Sequence, residues 1–460
     1  MAATPARSAA IPALVPRGAG HQFVLYGDSC SGVPGGRHEQ AFARVNAVVR
    51  RLAPGPQFLV FAGDEVAGLT PEPRALRAQW RHWLDVEMGW RDRRVPLWHA
   101  TGNHTTYDAM SADTFRALTR LPRNGPRGQQ GLAYWIRRGD LLLIFVHTLC
   151  AELGGEGYVE TAWLRATLRA HADARHKLVV GHHPAFPVNG YSGAYQRQIA
   201  PEAVGAFWDV LVEQGVAAYL CSHILAFDVQ VHRGVLQVCT AGAGTAPRMP
   251  AGVEYLHCVQ MALDGAGLRY QVLDAAGRVR ERLSWPPAAP GVGDWTALPR
   301  GRIRAPTAFP HARARCIALR FRGRAAKAGT GAMQTLLAAQ RTGELAALWI
   351  GLRGNAQRLT VVVSSEPGRS PHYWLGPQLA AGEIFDLALL LHADMGPGGI
   401  LWRRATDGAW HSCAAASAWG LERLRPAAVW SIGHDGGGPR HSPFRGEELA
   451  AAVAAIWRPR

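Results

Sequence analysis

Five short polar clusters stand out, each directly behind an apolar run: Gly27-Asp28-Ser29-Cys30, Gly63-Asp64, Gly102-Asn103-His104, Gly181-His182-His183-Pro184 and Ser222-His223. Together they offer carboxylates, a carboxamide and imidazoles, a donor set suited to hard or borderline divalent cations. A Gly-Asp pair alone is a turn signal, and a lone Gly-Asn-His is a chance tripeptide. The information lies in the ordered series. Ligand sites in α/β sheets sit at the carboxyl ends of strands, so five clusters at five strand ends are expected to converge. Glycine before the ligand is expected to let the backbone turn sharply.

The elements that must position these residues follow from periodicity. Strands are expected at Phe23–Gly27, Gln57–Ala62, Pro96–Ala100, Leu141–Val146, Lys177–Val180 and Ala217–Cys221. Helices are expected at Ala41–Leu52, Pro71–Trp90, Thr161–His171 and Pro201–Gln214. Two hairpins follow, Phe227–Thr240 turning at Arg233–Gly234 and Tyr255–Leu273 turning at Asp264–Gly265. Strands alternating with helices and finished by hairpins imply a layered α/β domain. Prolines 286, 287 and 290 mark a linker over 286–294. Beyond it, short alternating runs at Cys316–Phe321, Leu345–Leu352, Leu359–Val363, Phe385–His392, Ile400–Arg403 and Val429–Ile432 read as an all-β sandwich over 295–460. Residues 1–20, rich in Ala, Pro and Arg, read as a disordered tail.

The motif order over 21–285 resembles that of the calcineurin-like metallophosphoesterases, and Val179–Pro187 (VVGHHPAFP) is most similar to the purple acid phosphatases. The resemblance implies a four-layer αββα sandwich that hydrolyses a phosphoester with one or two divalent ions, Zn, Mn or Fe. It implies that Asp64, Asn103, His182 and His223 hold one ion, with Asp64 bridging to a second held partly by Asp28. It also makes His104 the candidate general acid for the leaving oxygen, or a group stabilising the phosphoryl charge. Four positions depart from the family pattern. Cys30 stands where a histidine is usual, as a ligand or as a buried filler. Ala67 stands where the purple acid branch has Tyr, and Leu225 replaces the last histidine. Thr105 follows His104 where an orienting acid is usual, with Asp108 as the nearest substitute. His183 and His147 are candidates for substrate contact or for support of the ligands. Arg197 and the loop Asn189–Gln198 are candidates for substrate contact.

The second region resembles, more faintly, the concanavalin-A-like and laminin-G jelly rolls, through Phe385–His392, Gly398–Trp402, Trp430–Gly433 and Phe444–Glu447. This resemblance implies a glycan or protein ligand, and with it a competing reading: an inactive phosphoesterase fold that serves as a binding module. The formal charge of +16 comes almost entirely from dispersed arginines, Lys177 and Lys327 being the only lysines. That balance fits a compositional bias or attraction of an anionic phosphoester; with no basic block, nucleic acid is not the expected partner. No apolar run reaches the roughly 18 to 20 residues of a membrane helix. Seven cysteines without close pairing argue against a disulfide framework, and no secretory leader is recognisable. Both point to the cytoplasm.

Overall fold

The computed structural model describes residues 9–105, 109–189, 197–245, 255–287, 290, 292–304, 316–327, 331–340, 346–364, 370–416, 419–421, 424, 427–434 and 442–456. Contacts divide the chain into two compact units, Met1–Val229 with Val235–Pro286, and Gln230–Gly234 with Pro287–Arg460.

The first unit opens with β1 (Gly20–Tyr26), α1 (Arg37–Val49), β2 (Phe58–Phe61), α2 (Pro73–His82), β3 (Leu97–His99) and α3 (Ala109–Thr119). It continues with β4 (Tyr134–Arg138), β5 (Leu141–Phe145), α4 (Thr161–Ala170), β6 (His176–Val180), α5 (Pro201–Glu213) and β7 (Ala218–Cys221). Five strands close it: β8 (Phe227–His232), β9 (Val235–Thr240), β10 (His257–Asp264), β11 (Gly267–Asp274) and β12 (Val279–Trp285).

Two six-stranded sheets result, in the orders β12-β11-β10-β1-β2-β3 and β8-β9-β7-β6-β5-β4. In the first, β1, β2 and β3 run parallel; in the second, β5, β6, β7 and β9 do. Parallel strands buried on both faces read as continuous apolar runs, as in LLLIF of β5 and FLVF of β2, every residue of which is buried. Connections through helices leave the carboxyl ends of β1, β2 and β3 on one edge, and those of β6 and β7 on one edge of the other sheet. α1 packs on β10 and β11. No helix among the described residues is long and apolar enough to cross a membrane. All seven cysteines are buried free thiols.

The structure departs from the sequence expectations in four places. Residues 9–20 are not a disordered tail: Ile11–Pro12 pairs with Leu52–Ala53, and the Leu14 and Arg17 amides donate to Gln260 Oε1 (2.8 Å) and Asp264 Oδ2 (2.9 Å). Interspersed prolines and glycines without an apolar period hid a segment held by polar contacts. The helix expected over Pro71–Trp90 ends at His82 and continues as a π turn, Trp83–Glu87. The second hairpin turns one residue late, at Gly265–Ala266, because Asp264 pairs with Gly267. Strands β4 and β12 and helix α3 carry too little apolar periodicity to be read in advance.

The second unit contains β13 (Thr296–Leu298), β14 (Gly301–Arg304), β15 (Cys316–Arg324), β16 (Gln334–Gln340), β17 (Leu348–Arg353), β18 (Arg358–Val363) and β19 (His372–Gln378). It ends with β20 (Ile384–His392), β21 (Ile400–Arg404), β22 (His411–Ser412), β23 (Ala414–Ala415), β24 (Val429–Ile432) and β25 (Glu447–Ile456). The sheets β13-β25-β15-β20-β21-β22 and β14-β24-β16-β17-β18-β19-β23 are antiparallel. Alternate residues of both, such as Leu319 and Leu389 from one and Ile350 and Val361 from the other, share one apolar core. Trp349, Trp374, Trp410, Trp419 and Trp430 are buried, so these rings are core rather than sugar platforms.

The first unit depends on Trp83, which is fully buried. Its ring stacks on Phe42 (5.9 Å), meets Phe61 edge-on (5.3 Å) and donates from Nε1 to Ser29 Oγ (3.0 Å). Trp83→Ala should destabilise this unit by about 3–5 kcal/mol, read as a lowered urea midpoint of its unfolding transition. A loss under ~1 kcal/mol, the size of an ordinary surface effect, would remove this cluster from its central role.

Candidate metal centre

Each ligand candidate sits two to four residues past a strand: Asp28 after β1, Asp64 after β2, Asn103 after β3, His182 after β6 and His223 after β7. The chain turns at the ligands themselves. Asp28, Cys30, Asp64 and His223 adopt φ of 54°, 43°, 60° and 70°, a left-handed conformation that costs a non-glycine residue ~1–3 kcal/mol and clusters at functional sites. Gly63 shares that sign, at φ 97°. Gly102 is needed for space instead: a Cβ there would lie 2.1 Å from Asp64 Oδ1.

His182 is the hub. Its Nδ1 lies 2.9 Å from the Ala62 carbonyl, which accepts only a proton-bearing nitrogen. Its Nε2 then faces Asn103 Oδ1 at 3.0 Å, His223 Nδ1 at 3.1 Å and Asp64 Oδ2 at 3.3 Å. His182 and Asp64 are buried. Four donor atoms directed at one another from four different loops need a cation among them, either a proton or a metal. Without a metal the proton takes that place. Burial opposes charge on His182, but the Asp64 carboxylate, with Asp28 and the Ala62 carbonyl, outweighs it and raises the imidazole to about 9. Burial likewise opposes charge on Asp64, and His182, His104 and His223 overcome it, holding the carboxyl well below the usual range. Burial and the neighbouring imidazoles push His223 well down, leaving it neutral with a lone pair to give. Asp64, His182 and His223 each place a donor atom within 4.8 Å of the other two. Two imidazoles, a carboxylate and an amide oxygen fit Zn²⁺, Mn²⁺ or Fe²⁺.

The other expected ligands are arranged differently. Asp28 is buried, but its Oδ2 accepts the Ser222 hydroxyl and the His223 amide (2.9 Å). It joins none of the possible ligand groups among the described residues. Burial, with the Asp64 charge adding, raises its carboxyl to about 6. Cys30 does approach: its sulfur lies within 4.8 Å of donor atoms of Asp64 and His104. Burial, then Asp64 and Asp28, push its thiol well up, so it is protonated at neutral pH in the absence of a metal. Leu225 is half-buried.

His104 is oriented without an acid. Its Nδ1 lies 2.7 Å from the Ala67 carbonyl, its amide donates to Asp64 Oδ1 (3.0 Å), and its Nε2 is 3.8 Å from Asp64 Oδ2. Asp108 lies outside the described residues. His183 is fully buried against Thr148 Oγ1 (2.8 Å) and Glu156 Oε1 (2.9 Å), and its ring lies 4.4 Å from that of His223. Burial and His182 push it well down. Arg197 pairs with Glu156 Oε2 (2.9 Å); residues 190–196 of that loop lie outside the described residues. His147 Nδ1 is 2.6 Å from Thr101 Oγ1, and burial with the Arg116 charge lowers it to about 4. It braces the turn before Asn103 rather than joining a ligand group.

The supporting roles of Glu156, the Ala67 carbonyl, Ser222 and Thr101 were not legible in the sequence. Glu156 lies in a glycine-flanked loop with no periodic pattern, and a backbone carbonyl has no sequence signal. Only the placement of Ser222 and Thr101 beside candidate ligands could have suggested them.

No family model matches the chain, and no curated protein matches it. Among solved structures it is similar to GAP50, the anchor in the inner membrane complex of Plasmodium: 14% identity over 58% of this chain and 88% of that one, TM-score 0.40. It is also similar to the purple acid phosphatase PPD1 from yellow lupin (Lupinus luteus) seeds, at 13% identity over 58% of this chain and 53% of that one, TM-score 0.44. A putative 5′-nucleotidase from Staphylococcus aureus is 14% identical over 53% of this chain and 51% of that one, TM-score 0.35. The chain thus spans about half the length of the last two. Likeness at this level assigns neither activity nor ligands to this chain.

Proposed function

We propose that the first unit is a metal-dependent phosphoesterase that holds a divalent ion, Zn, Mn or Fe, between Asp64, Asn103, His182 and His223. One observation carries this reading: three donor atoms from three other loops stand 3.0 to 3.3 Å from His182 Nε2, whose ring is pinned from behind by Ala62. When bound, the ion supplies Lewis acidity that makes water a nucleophile near neutral pH and offsets charge on a phosphoryl group. The chain's own residues do the rest. Ala62 fixes the His182 tautomer, as groups behind a ligating histidine commonly do. The Asp28 carboxylate holds the His223 amide and so sets the angle of that loop. Ala67 fixes His104 through Nδ1, leaving Nε2 to pass a proton to the leaving oxygen. Asp64 and Cys30 mark a weaker second position, a thiol in place of the usual imidazole.

The finer architecture belongs to the same proposal. The two mixed sheets form the inner layers of a four-layer αββα sandwich over 21–285, and 295–460 forms a concanavalin-A-like jelly roll that binds a glycan or a protein. Antiparallel sheets with a common core support the latter. Asp28 held by Ser222, together with the protonated Cys30, favours the second reading, an inactive fold kept as a binding module.

Assays of the purified chain with an aryl phosphate and an aryl phosphodiester, with Zn²⁺, Mn²⁺ and Fe²⁺ added in turn, separate the two. Asp64→Asn and His223→Ala should each abolish turnover and release one ion per chain. Turnover unchanged in both variants would sink the enzyme reading, and an ion held without turnover would favour the binding module. His104→Ala should lower kcat by ~10²-fold with the ion retained, as steady-state kinetics and metal analysis would show. Gly102→Ala changes no ligand, yet its methyl enters the space of Asp64 Oδ1. It should weaken metal affinity by at least ~10-fold, the scale seen when ligand orientation is disturbed, in a titration with Zn²⁺.

A further inference from the structure

The π turn Trp83–Glu87 assembles a second set of donors away from the Asp64 cluster. In an α-helix residues five apart point about 140° from each other. The wider turn, closed by the Met88 amide on the Trp83 carbonyl at 2.9 Å, instead brings Glu87 Oε1 to 3.8 Å from His82 Nε2. Such turns are rare and recur at functional sites. From α1, Glu39 Oε1 reaches the same nitrogen at 2.6 Å. One donor atom from each of the three residues lies within 4.8 Å of the others.

Glu87 shows that the cluster is electrostatically incomplete. Its side chain is 4% exposed. Oε1 accepts the Ser31 hydroxyl (2.8 Å) and the Gly32 amide (2.9 Å), while Oε2 is buried with no hydrogen-bond partner among the described residues. An unmatched buried carboxylate oxygen is costly. Among the described residues no Arg or Lys pairs with Glu39 or Glu87, so His82 faces two carboxylates alone. Glu39 and His82 are 22% and 18% exposed, which opens the cluster to ions from solvent.

We propose that Glu39, His82 and Glu87 form a separate, open site for Zn²⁺, with solvent at the fourth position. One imidazole and two carboxylates suit zinc, and three protein ligands with an open place are an ordinary zinc arrangement. The ion ties α1, α2 and the Ser31–Gly36 turn together. That turn is the continuation of the Asp28–Cys30 loop, whose Cys30 carbonyl lies 2.9 Å from His38 Nδ1. The site is independent of the proposed phosphoesterase activity, and its test reads zinc and thermal stability rather than turnover.

The full chain is stripped with a chelator and titrated with Zn²⁺ alone, in wild type and in an Asp64→Asn/His223→Ala background that disables the first cluster. The background variant should keep one zinc per chain and gain several degrees of Tm on zinc addition. Adding Glu39→Gln, a change at a partly exposed position, should remove that ion and the Tm gain on zinc addition. In wild type, Glu39→Gln or His82→Gln should lower the zinc count by one. An unchanged count on either substitution, or a background variant that holds no zinc, overturns the site.

Discussion

One tautomer organises the candidate centre. Because the Ala62 carbonyl takes the proton of His182 Nδ1, the Nε2 lone pair has to face Asn103, His223 and Asp64 at 3.0 to 3.3 Å. Lone pairs do not converge in a dry interior unless a positive charge lies between them. The loops that deliver them leave two different sheets, so the arrangement is a property of the fold and not of one peptide. It is also held under strain. Asp28, Cys30, Asp64 and His223 occupy left-handed φ, at ~1–3 kcal/mol apiece. Strands buried along their length, β2, β5 and β7 among them, offset this cost, since each buried aliphatic side chain contributes about 1.5–3 kcal/mol.

The two halves of the centre are chemically unequal. On the His182 side, His182, Asp64 and His223 are each held by a backbone or side-chain partner, and His223 is kept neutral. On the Cys30 side the thiol is protonated, and Asp28 serves as an acceptor for Ser222 and the His223 amide. Asp28 accordingly joins no possible ligand group among the described residues. The same carboxylate nonetheless contributes to the better half, by fixing the loop from which His223 projects. Asp28 thus connects the halves through backbone geometry rather than through a shared ion.

The parallel strands and the polar residues at their ends were readable because both signals are local: an apolar run and the two to four residues after it. What escaped reading depends on long-range partners. Residues 9–20 look disordered by composition, yet they are held by Gln260 and Asp264, some 250 positions away. β25 reads EELAAAVAAI, rich in strong helix formers, but eight of its residues pair along β15, and tertiary pairing overrides the local preference. Glu156 has no neighbouring motif, and its meaning comes only from His183 and Arg197 beside it. The π turn was read as plain helix because the apolar spacing of Trp80, Trp83 and Leu84 suits either.

The glycines show how a correct pattern can carry a mistaken cause. Gly27, Gly63 and Gly102 precede Asp28, Asp64 and Asn103, which from sequence alone suggests that glycine makes the turn. Only Gly63 has the left-handed φ; beside it, two of the three ligand-position residues take that conformation themselves. At Gly102 the constraint is proximity, since the neighbouring loop places Asp64 Oδ1 where a Cβ would stand. A side chain there would push the bridging candidate away from His182. The motif is therefore set by the space between two converging loops, and a chain could keep every ligand and still lose the centre by filling that space.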